Sequence, residues 1–476
     1  MTERNELIEQ RYKNLDKLKE AGINPFMESF SGIQSIGSLK NDYADGKKGR
    51  IAGRVMARRE HGKSVFMDVK DFTGKLQVYF KKDIIGDAAF EVLKSLDIGD
   101  IIGVAGELFR TKTGEDTIKA EEYKVLSKSL LPLPEKWHGL KDVETRYRQR
   151  YVDLIVNDEA REKFKTRIEL IRHIRETLDG KGFFEVETPM MHPIPGGAAG
   201  KPFKTHHEAL DMDLYLRIAP EIYLKKLLVG GFEKVYEINR SFRNEGISTR
   251  HNPEFTMIEV YEAYSDCGGM MELTEEIVRS AAKKIMGSEK FTYQGKEVDL
   301  SVWKKVSFAE LMEKNFGIRV DEPLDGWVKK LKAKGIEIEG DKVSKTQIIN
   351  IVGELVEPGA ETHPVFVVDM FKELSPLAKE KKDEPGLVDR FELYIGGMEV
   401  ANAYSELNDP IDQRERFLEQ AKADPDAMVD EDFVRALEYG MPPAGGLGIG
   451  IDRLAMIFTD SASIREVIMF PHMRPE

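Results

Sequence analysis

Ser241-Phe242-Arg243-Asn244-Glu245 and Arg250-His251-Asn252-Pro253-Glu254-Phe255 stand on either side of a short polar loop, with strand-like runs before and after them. The pattern predicts a β-hairpin whose loop carries Arg243, Arg250 and His251, three cations suited to a polyphosphate. Ordinary pairing with Asp or Glu explains them equally well at this point. Along the returning strand the side chains alternate, so Phe255, Met257, Glu259 and Tyr261 share one face while Thr256, Ile258 and Val260 share the other. A carboxylate among aromatics is costly to bury unless a cation meets it, which makes Glu259 a candidate ligand for an ammonium group. For a single glutamate a structural salt bridge is the plainer account.

A second hairpin follows from Phe391 to Leu407, turning at Gly396-Gly397. If Ile395 opposes Met398, then Glu392 opposes Ala401 and Glu399 lies diagonally on the face of Glu392, as two carboxylates sharing Mg²⁺ require. Asn402, Tyr404 and Glu406 fall on the opposite parity, so all five reach one pocket only if the strand bulges near 400–402. Without a bulge the segment is an exposed hairpin with surface acids. Gly445-Gly446-Leu-Gly448-Ile-Gly450 is a strand stripped of side chains on one face, with Ile451-Asp452-Arg453 at a helix start. A flat ligand fits against such backbone, and so does a closely packed helix. There is no Gly-x4-Gly-Lys-[Ser/Thr] run, and the glycine spacing is wrong for a dinucleotide fingerprint, which argues against P-loop and Rossmann enzymes.

Further out, the 476 residues predict two to four compact units at roughly 150 residues each. Hydrophobic residues make up 41% and charged residues 33%, a globular composition without collagen-like or disordered character. The longest apolar runs, such as Val365–Val368, fall far short of a bilayer span, and Met1–Glu20 is too charged for an export signal, so a cytoplasmic location is expected with no membrane association. Cys267 is the only cysteine, which rules out an intrachain disulfide and leaves any metal to oxygen or histidine ligands. An amphipathic helix is predicted over residues 5–21. Short glycine-punctuated strands from Gly49 to about Leu126 then suggest a small barrel. Although the chain carries a net −13, Lys47 to Lys82 holds eleven bases against three acids. A linker through Arg150 precedes a long helix from Asp158 to Leu178, and further helices are expected around 270–286, 307–315, 325–335 and 345–356.

These residues together resemble the class II aminoacyl-tRNA synthetases, and within them the lysyl-tRNA synthetases, over essentially the whole chain. Lys181-Gly-Phe-Phe-Glu-Val-Glu-Thr-Pro189 resembles the first class II motif. Phe242-Arg-Asn-Glu245 through His251 and Phe255 resembles the second, and Gly446-Leu-Gly-Ile-Gly-Ile-Asp-Arg453 the third. The resemblance implies an α+β fold. Residues 1–145 would hold the N-terminal helix and an OB-fold anticodon-binding barrel. Residues 146–476 would form a catalytic domain on an antiparallel sheet flanked by helices, with a helical insertion at about 266–360. It implies activation of L-lysine with ATP and Mg²⁺, transfer to tRNA(Lys), and a homodimer built through residues 158–190.

Position by position, the resemblance gives Arg243 the α-phosphate and reacting carboxylate, Phe255 the adenine, and His251 and Arg453 the terminal phosphates, with Glu245 helping to place the nucleotide. Arg243, Glu245 and Arg453 would be the catalytic set, and Glu392 and Glu399 would hold Mg²⁺. Gly197 and Glu221 would receive the α-amino end, while Glu259, Tyr261, Asn402, Tyr404 and Glu406 would surround the side chain. Arg59, Phe66 and Gln77 would read the anticodon. The family often has phenylalanine at Tyr404 and glycine near Ala401 or Ala403. Independently of the family, a site that takes lysine and rejects uncharged isosteres needs buried carboxylates at its far end, and Glu259 and Glu406 supply two. An aspartyl- or asparaginyl-type enzyme and an inactive nucleic-acid-binding relative remain the competing readings.

Overall fold

The computed structural model describes residues 2–27, 29–134, 140, 142–198, 200–338, 345–359, 361–423 and 428–475. Part of the expected linker, 135–139 and 141, lies outside the described residues. The chain divides into two compact units, Met1–Lys141 and Asp142–Glu476. The second opens on Asp142, whose carboxylate caps the helix Val143–Arg148 by accepting the Thr145 N–H at 2.8 Å. That start falls a little ahead of the expected break at 145.

In the first unit the helix Thr2–Glu20 buries Leu15 and Leu18. Five strands follow and close a barrel in the order Lys48–His61, Ser64–Lys70, Lys75–Lys81, Asp116–Ser127, Ile101–Arg110. Alternation fills the interior: Val65, Met67 and Val69 point inward from the second strand, and Leu76, Val78 and Phe80 from the third. Where the last two strands slip register at Gly106, a Cβ would lie 1.9 Å from the Lys119 carbonyl oxygen, so only glycine lets them approach. The basic excess read from Lys47 to Lys82 does not gather into one bare patch. Lys48 pairs with Glu121 at 2.8 Å, Arg50 with Glu122 at 3.3 Å, and Arg59 and Lys75 both reach Asp68, at 3.0 and 3.1 Å.

The second unit is built on an eight-stranded sheet. From one edge to the other the strands are Lys304–Ser307, Val365–Phe371, Leu387–Ile395, Met398–Ser405, Ala444–Gly450, Glu254–Ala263, Lys234–Phe242 and Phe184–Glu185. The six inner strands are antiparallel, and each outermost strand joins in parallel. Helices Asp158–Gly180, Cys267–Met286 and Ile451–Phe458 cover one face and contribute most of the main core. The first of these buries Ala160, Phe164, Arg167, Leu170, Ile174 and Leu178, a stripe at three- and four-residue spacing. The second is capped by Asp266 and stopped by Gly287 in the left-handed conformation.

The segment 266–360, expected as a helical insertion, has four different fates, one of them a separate two-stranded hairpin, Lys290–Tyr293 with Lys296–Asp299. Helix Cys267–Met286 belongs to the central core, and Lys304–Ser307 is an edge strand of the main sheet. Only Phe308–Phe316, Leu324–Ala333 and Lys345–Leu355 form a separate helical layer, packed through Phe308, Trp327 and Ile349 onto the strand Val365–Phe371. The apolar side of Cys267–Met286 outweighed its position between two site segments. Among the described residues, no helix is long and apolar enough to cross a membrane.

Candidate active site

With helices covering one face of the sheet, the opposite face is left for chemistry. The glycine strand Ala444–Gly450 runs along its middle, with Tyr261 and Tyr404 flanking Gly446 and with Glu259 and Asn402 flanking Gly448. A Cβ on Gly446 would lie 1.8 Å from Glu406 Oε1 and 2.6 Å from Tyr261 Cε1. The glycine is thus required by the side chains that converge over it, while Leu447 and Ile449 point into the core.

The hairpin turns at Gly396-Gly397, both at positive φ, and Ile395 opposes Met398 as expected. Beyond that pair the register departs from the simple count. Tyr394 opposes Glu399 and Leu393 opposes Ala401, so Val400 is the extra residue of a β-bulge and Glu392 faces Asn402 instead of Ala401. Val400 and Ala401 both enter the core. The parity conflict is removed: Glu399, Asn402 and Tyr404 emerge on one face beside Glu392.

At one end of this face the groups are dry. Glu221, Glu259 and Glu406 are buried, and Lys225 lies among them with its side chain fully enclosed. Lys225 Nζ donates to Glu221 at 2.7 Å, contacts Glu406, and lies 3.4 Å from the Leu377 carbonyl. Tyr404 donates its hydroxyl to Glu221 at 2.6 Å and Tyr261 donates to Glu259 at 3.1 Å. Burial, with Glu221 adding to it, drives the Glu259 carboxyl well above the usual carboxylate range. Burial also pushes Glu406 up to about 8 against the pull of Lys225. For Lys225 burial works against the charge, but Glu221 and Glu406 outweigh it and raise its pKa. Gly197 sits at φ +88, where a side chain would be strained and its Cβ would lie 3.3 Å from that of Glu221.

The other end is wetter. Arg243 leaves the strand Lys234–Phe242 with its guanidinium 5.1 Å from the centre of the Phe255 ring, and its buried Nε has no partner among the described residues. Burial lowers its pKa, with Glu245 and Glu399 opposing. Arg453, one turn into the helix after the glycine strand, donates to Glu399 at 2.9 Å and lies 3.4 Å from His251 Nε2. Burial and then Arg453 lower the pKa of His251, favouring a neutral ring in the free protein. Helix and hairpin are locked together behind the site by Asp452, which accepts the Thr256 N–H at 2.7 Å and pairs with Arg167.

Arg390 joins the two ends: its Nε donates to Asn402 at 2.9 Å and a terminal nitrogen to Glu392 at 2.6 Å. Glu392 also accepts the Tyr394 hydroxyl at 3.0 Å. Burial raises its pKa, Arg390 opposes, and neighbouring Glu399 adds to the rise, so a cation between the two acids would relieve their repulsion. No cluster of three or more metal-binding side chains occurs among the described residues. A carboxylate pair fits Mg²⁺ in the way that ion is held with phosphates, where the substrate supplies most of the remaining ligands. Sequence reading missed Lys225 and Arg390. Lys225 was visible as the i+4 partner of Glu221 on a helix, and Arg390 as the same-parity neighbour of Glu392.

In the barrel, Arg59, Phe66 and Gln77 come from adjacent strands, Arg59 opposite Phe66 and Gln77 opposite Asp68. The Phe66 ring lies outside the core, 4.8 Å from Tyr79 and 6.2 Å from His61, and Tyr79 lies 6.0 Å from Phe109. This aromatic row is broader than the single ring expected. Arg59 is held by Asp68, and Gln77 accepts the Thr117 hydroxyl at 3.0 Å.

A sheet face with a glycine strand, two charged hairpins and a separate small barrel is what family comparison identifies. Residues 142–474 match the tRNA synthetases class II (D, K and N), and residues 50–126 match the OB-fold nucleic acid binding domain of the anticodon type. The chain belongs to the class II tRNA synthetases. Among curated relatives it is 54% identical to a lysine–tRNA ligase of Carboxydothermus hydrogenoformans over 99% of both chains. It is 54% identical to that of Pelotomaculum thermopropionicum, over 99% of this chain and 95% of the relative, and 49% identical to that of Thermotoga maritima, over 99% and 96%.

Proposed function

We propose that this protein is an ATP-dependent lysine–tRNA ligase that joins lysine to AMP and then passes it to the 3′ end of tRNA(Lys). The observation that carries the amino acid is Glu259: a buried carboxylate whose hydrogen-bond partner among the described residues is the Tyr261 hydroxyl, an anion that an incoming ammonium would neutralise. Glu406 offers a second, since its Oε1 has no hydrogen-bond partner among the described residues. An aspartyl-type pocket would present a base here; three acids around one lysine make the opposite field.

In the first step the lysine carboxylate attacks the α-phosphorus in line, a bond forms to that phosphorus, and pyrophosphate leaves. Arg243 sits where two anions must be held together and where charge builds, with Phe255 beneath it for the adenine ring. His251 and Arg453 face the leaving phosphates, and Glu245 helps place the nucleotide. Glu392 and Glu399 would hold Mg²⁺, which when bound supplies charge neutralisation at the phosphates. Gly197 and Glu221 take the α-amino end, and Asn402, Tyr261 and Tyr404 shape the side-chain channel. Arg59, Phe66 and Gln77 read the anticodon loop by stacking and edge contacts. The protein acts in the cytoplasm as a homodimer. The exposed Phe184, Met190 and Met191 favour a partner over that segment, and sedimentation at micromolar concentration should give twice the chain mass. ATP/pyrophosphate exchange measured with each amino acid tests the substrate: lysine should dominate, and preference for aspartate or asparagine would refute the reading.

A further inference from the structure

Lys225 is a buried charged group at the amino-acid end that the substrate chemistry does not use directly. It lies four residues after Glu221 on the helix Glu221–Val229 and shares its inward face, whereas Lys226 turns outward to Asp432 at 2.7 Å. Its ammonium donates to Glu221 and to the Leu377 carbonyl and forms an ion pair with Glu406, and the Tyr404 ring lies 5.5 Å away. A fully enclosed ammonium is retained only where its anions are fixed in place.

We propose that Lys225 is a positioning and specificity-determining residue for the amino acid, an internal counter-cation that fixes Glu221 and Glu406 and sets the charge of the pocket. Glu221, Glu259 and Glu406 around a bound substrate bring three negative charges. Lys225 cancels one of them. The remaining two match the two ammonium groups of lysine, α and ε, while the substrate carboxylate lies toward Arg243. Lys225 also engages one oxygen of Glu406 and leaves Oε1 turned over Gly446 for the ligand. A neutral residue at 225 would leave an excess of negative charge with unfixed orientation, and a free cation there would repel the substrate. This inference rests on the lysine reading above.

The test uses the full-length protein, ATP/pyrophosphate exchange, and the variants Lys225→Met, Glu406→Gln and the double variant. Lys225→Met should raise the lysine KM about tenfold or more and leave the ATP KM within about twofold. The lysine KM should also reach its low plateau at a higher pH than in the wild type, because the cation steadying ionised Glu406 is gone. The groups facing Glu406 are Lys225 and Glu221 from the helix, Glu259 and Tyr261 from the neighbouring strand, and Tyr404 from its own. If Lys225→Met fails to fold, the decisive comparison is between the other two. Glu406→Gln leaves a surplus cation, so the double variant should bind lysine several-fold more tightly than Glu406→Gln alone. Parallel rises in lysine and ATP KM, or a double variant no better than Glu406→Gln, would overturn the proposal while a lysine-active wild type kept the substrate reading intact. A wild type that activates another amino acid and not lysine would overturn both.

Discussion

Glu221, Glu259, Glu406 and Lys225 are all buried at the dry end of the site, whereas at the wetter end Glu245 and His251 are exposed and Glu399 keeps 37% of its side chain in water. The same sheet face carries both ends, yet the chemistry proposed for each is opposite. A polyphosphate arrives with its own charge and its own metal, so cations on a rim suffice. An amino acid told from its isosteres by one ammonium has to be met where water is absent, since only there does an unpaired carboxylate discriminate strongly. The sequence meets both demands with alternation: residues of one parity on the strands around Gly446 and Gly448 form the dry end, and the hairpin loop and helix start beyond them form the wet end.

The contrast can be broken experimentally. Arg243→Ala removes the cation proposed to hold both reacting anions. It should cut exchange by about a thousandfold, the scale of a lost transition-state donor, and near-normal exchange would remove Arg243 from the reaction. Glu259→Gln should raise the lysine KM by about a hundredfold, on the scale of a buried charge left without its partner, with the ATP KM nearly constant. Equal changes in both would show that the ends are not separable. Phe66→Ala in the barrel should raise the tRNA KM by about tenfold, within the ~1–3 kcal/mol of one stacked base, while lysine exchange is unaffected; a loss of exchange would point to a folding defect instead.

The smallest effect expected is that of pH. Glu406 is held up to about 8 in the folded protein, above its unfolded value, so its neutral form stabilises the free enzyme at low pH. That contribution is complete below the ordinary carboxylate range and is lost as pH rises through about 8. Between pH 6.5 and 8.5 the free protein should therefore become less stable while lysine binds a few-fold more tightly and releases protons, by at most one proton per group titrated. Calorimetry in buffers of different ionisation enthalpy reads the proton release directly. Lysine affinity that falls over this window would contradict the dry-end assignment.

Much of this architecture was legible in the residues themselves. Glu259 and Tyr261 on one face, and the turn at Gly396-Gly397, follow from period two and turn chemistry, which need only neighbouring positions. Phe66 outside the barrel core follows from the inward Val65, Met67 and Val69. The helix Cys267–Met286 was placed correctly as an element and misplaced as part of an insertion, because local pattern gives a helix its apolar face without saying which core receives it. Lys225 was passed over for a similar reason: its spacing from Glu221 was visible, but its second acid lies 181 positions further on and is adjacent only in space.

Sequence alone determined the class of enzyme, the two-part organisation and most of the side chains that gather on the open sheet face, since motifs, glycine strands and alternation are short-range properties. Whether those side chains could meet was decided by folding. A single extra residue at Val400 turns Glu399, Asn402 and Tyr404 to one side, and a helix from elsewhere in the chain brings an ammonium between two acids. Bulges and buried charge pairs depend on the packing of distant strands and helices in a low dielectric, and no stretch of neighbouring residues encodes that.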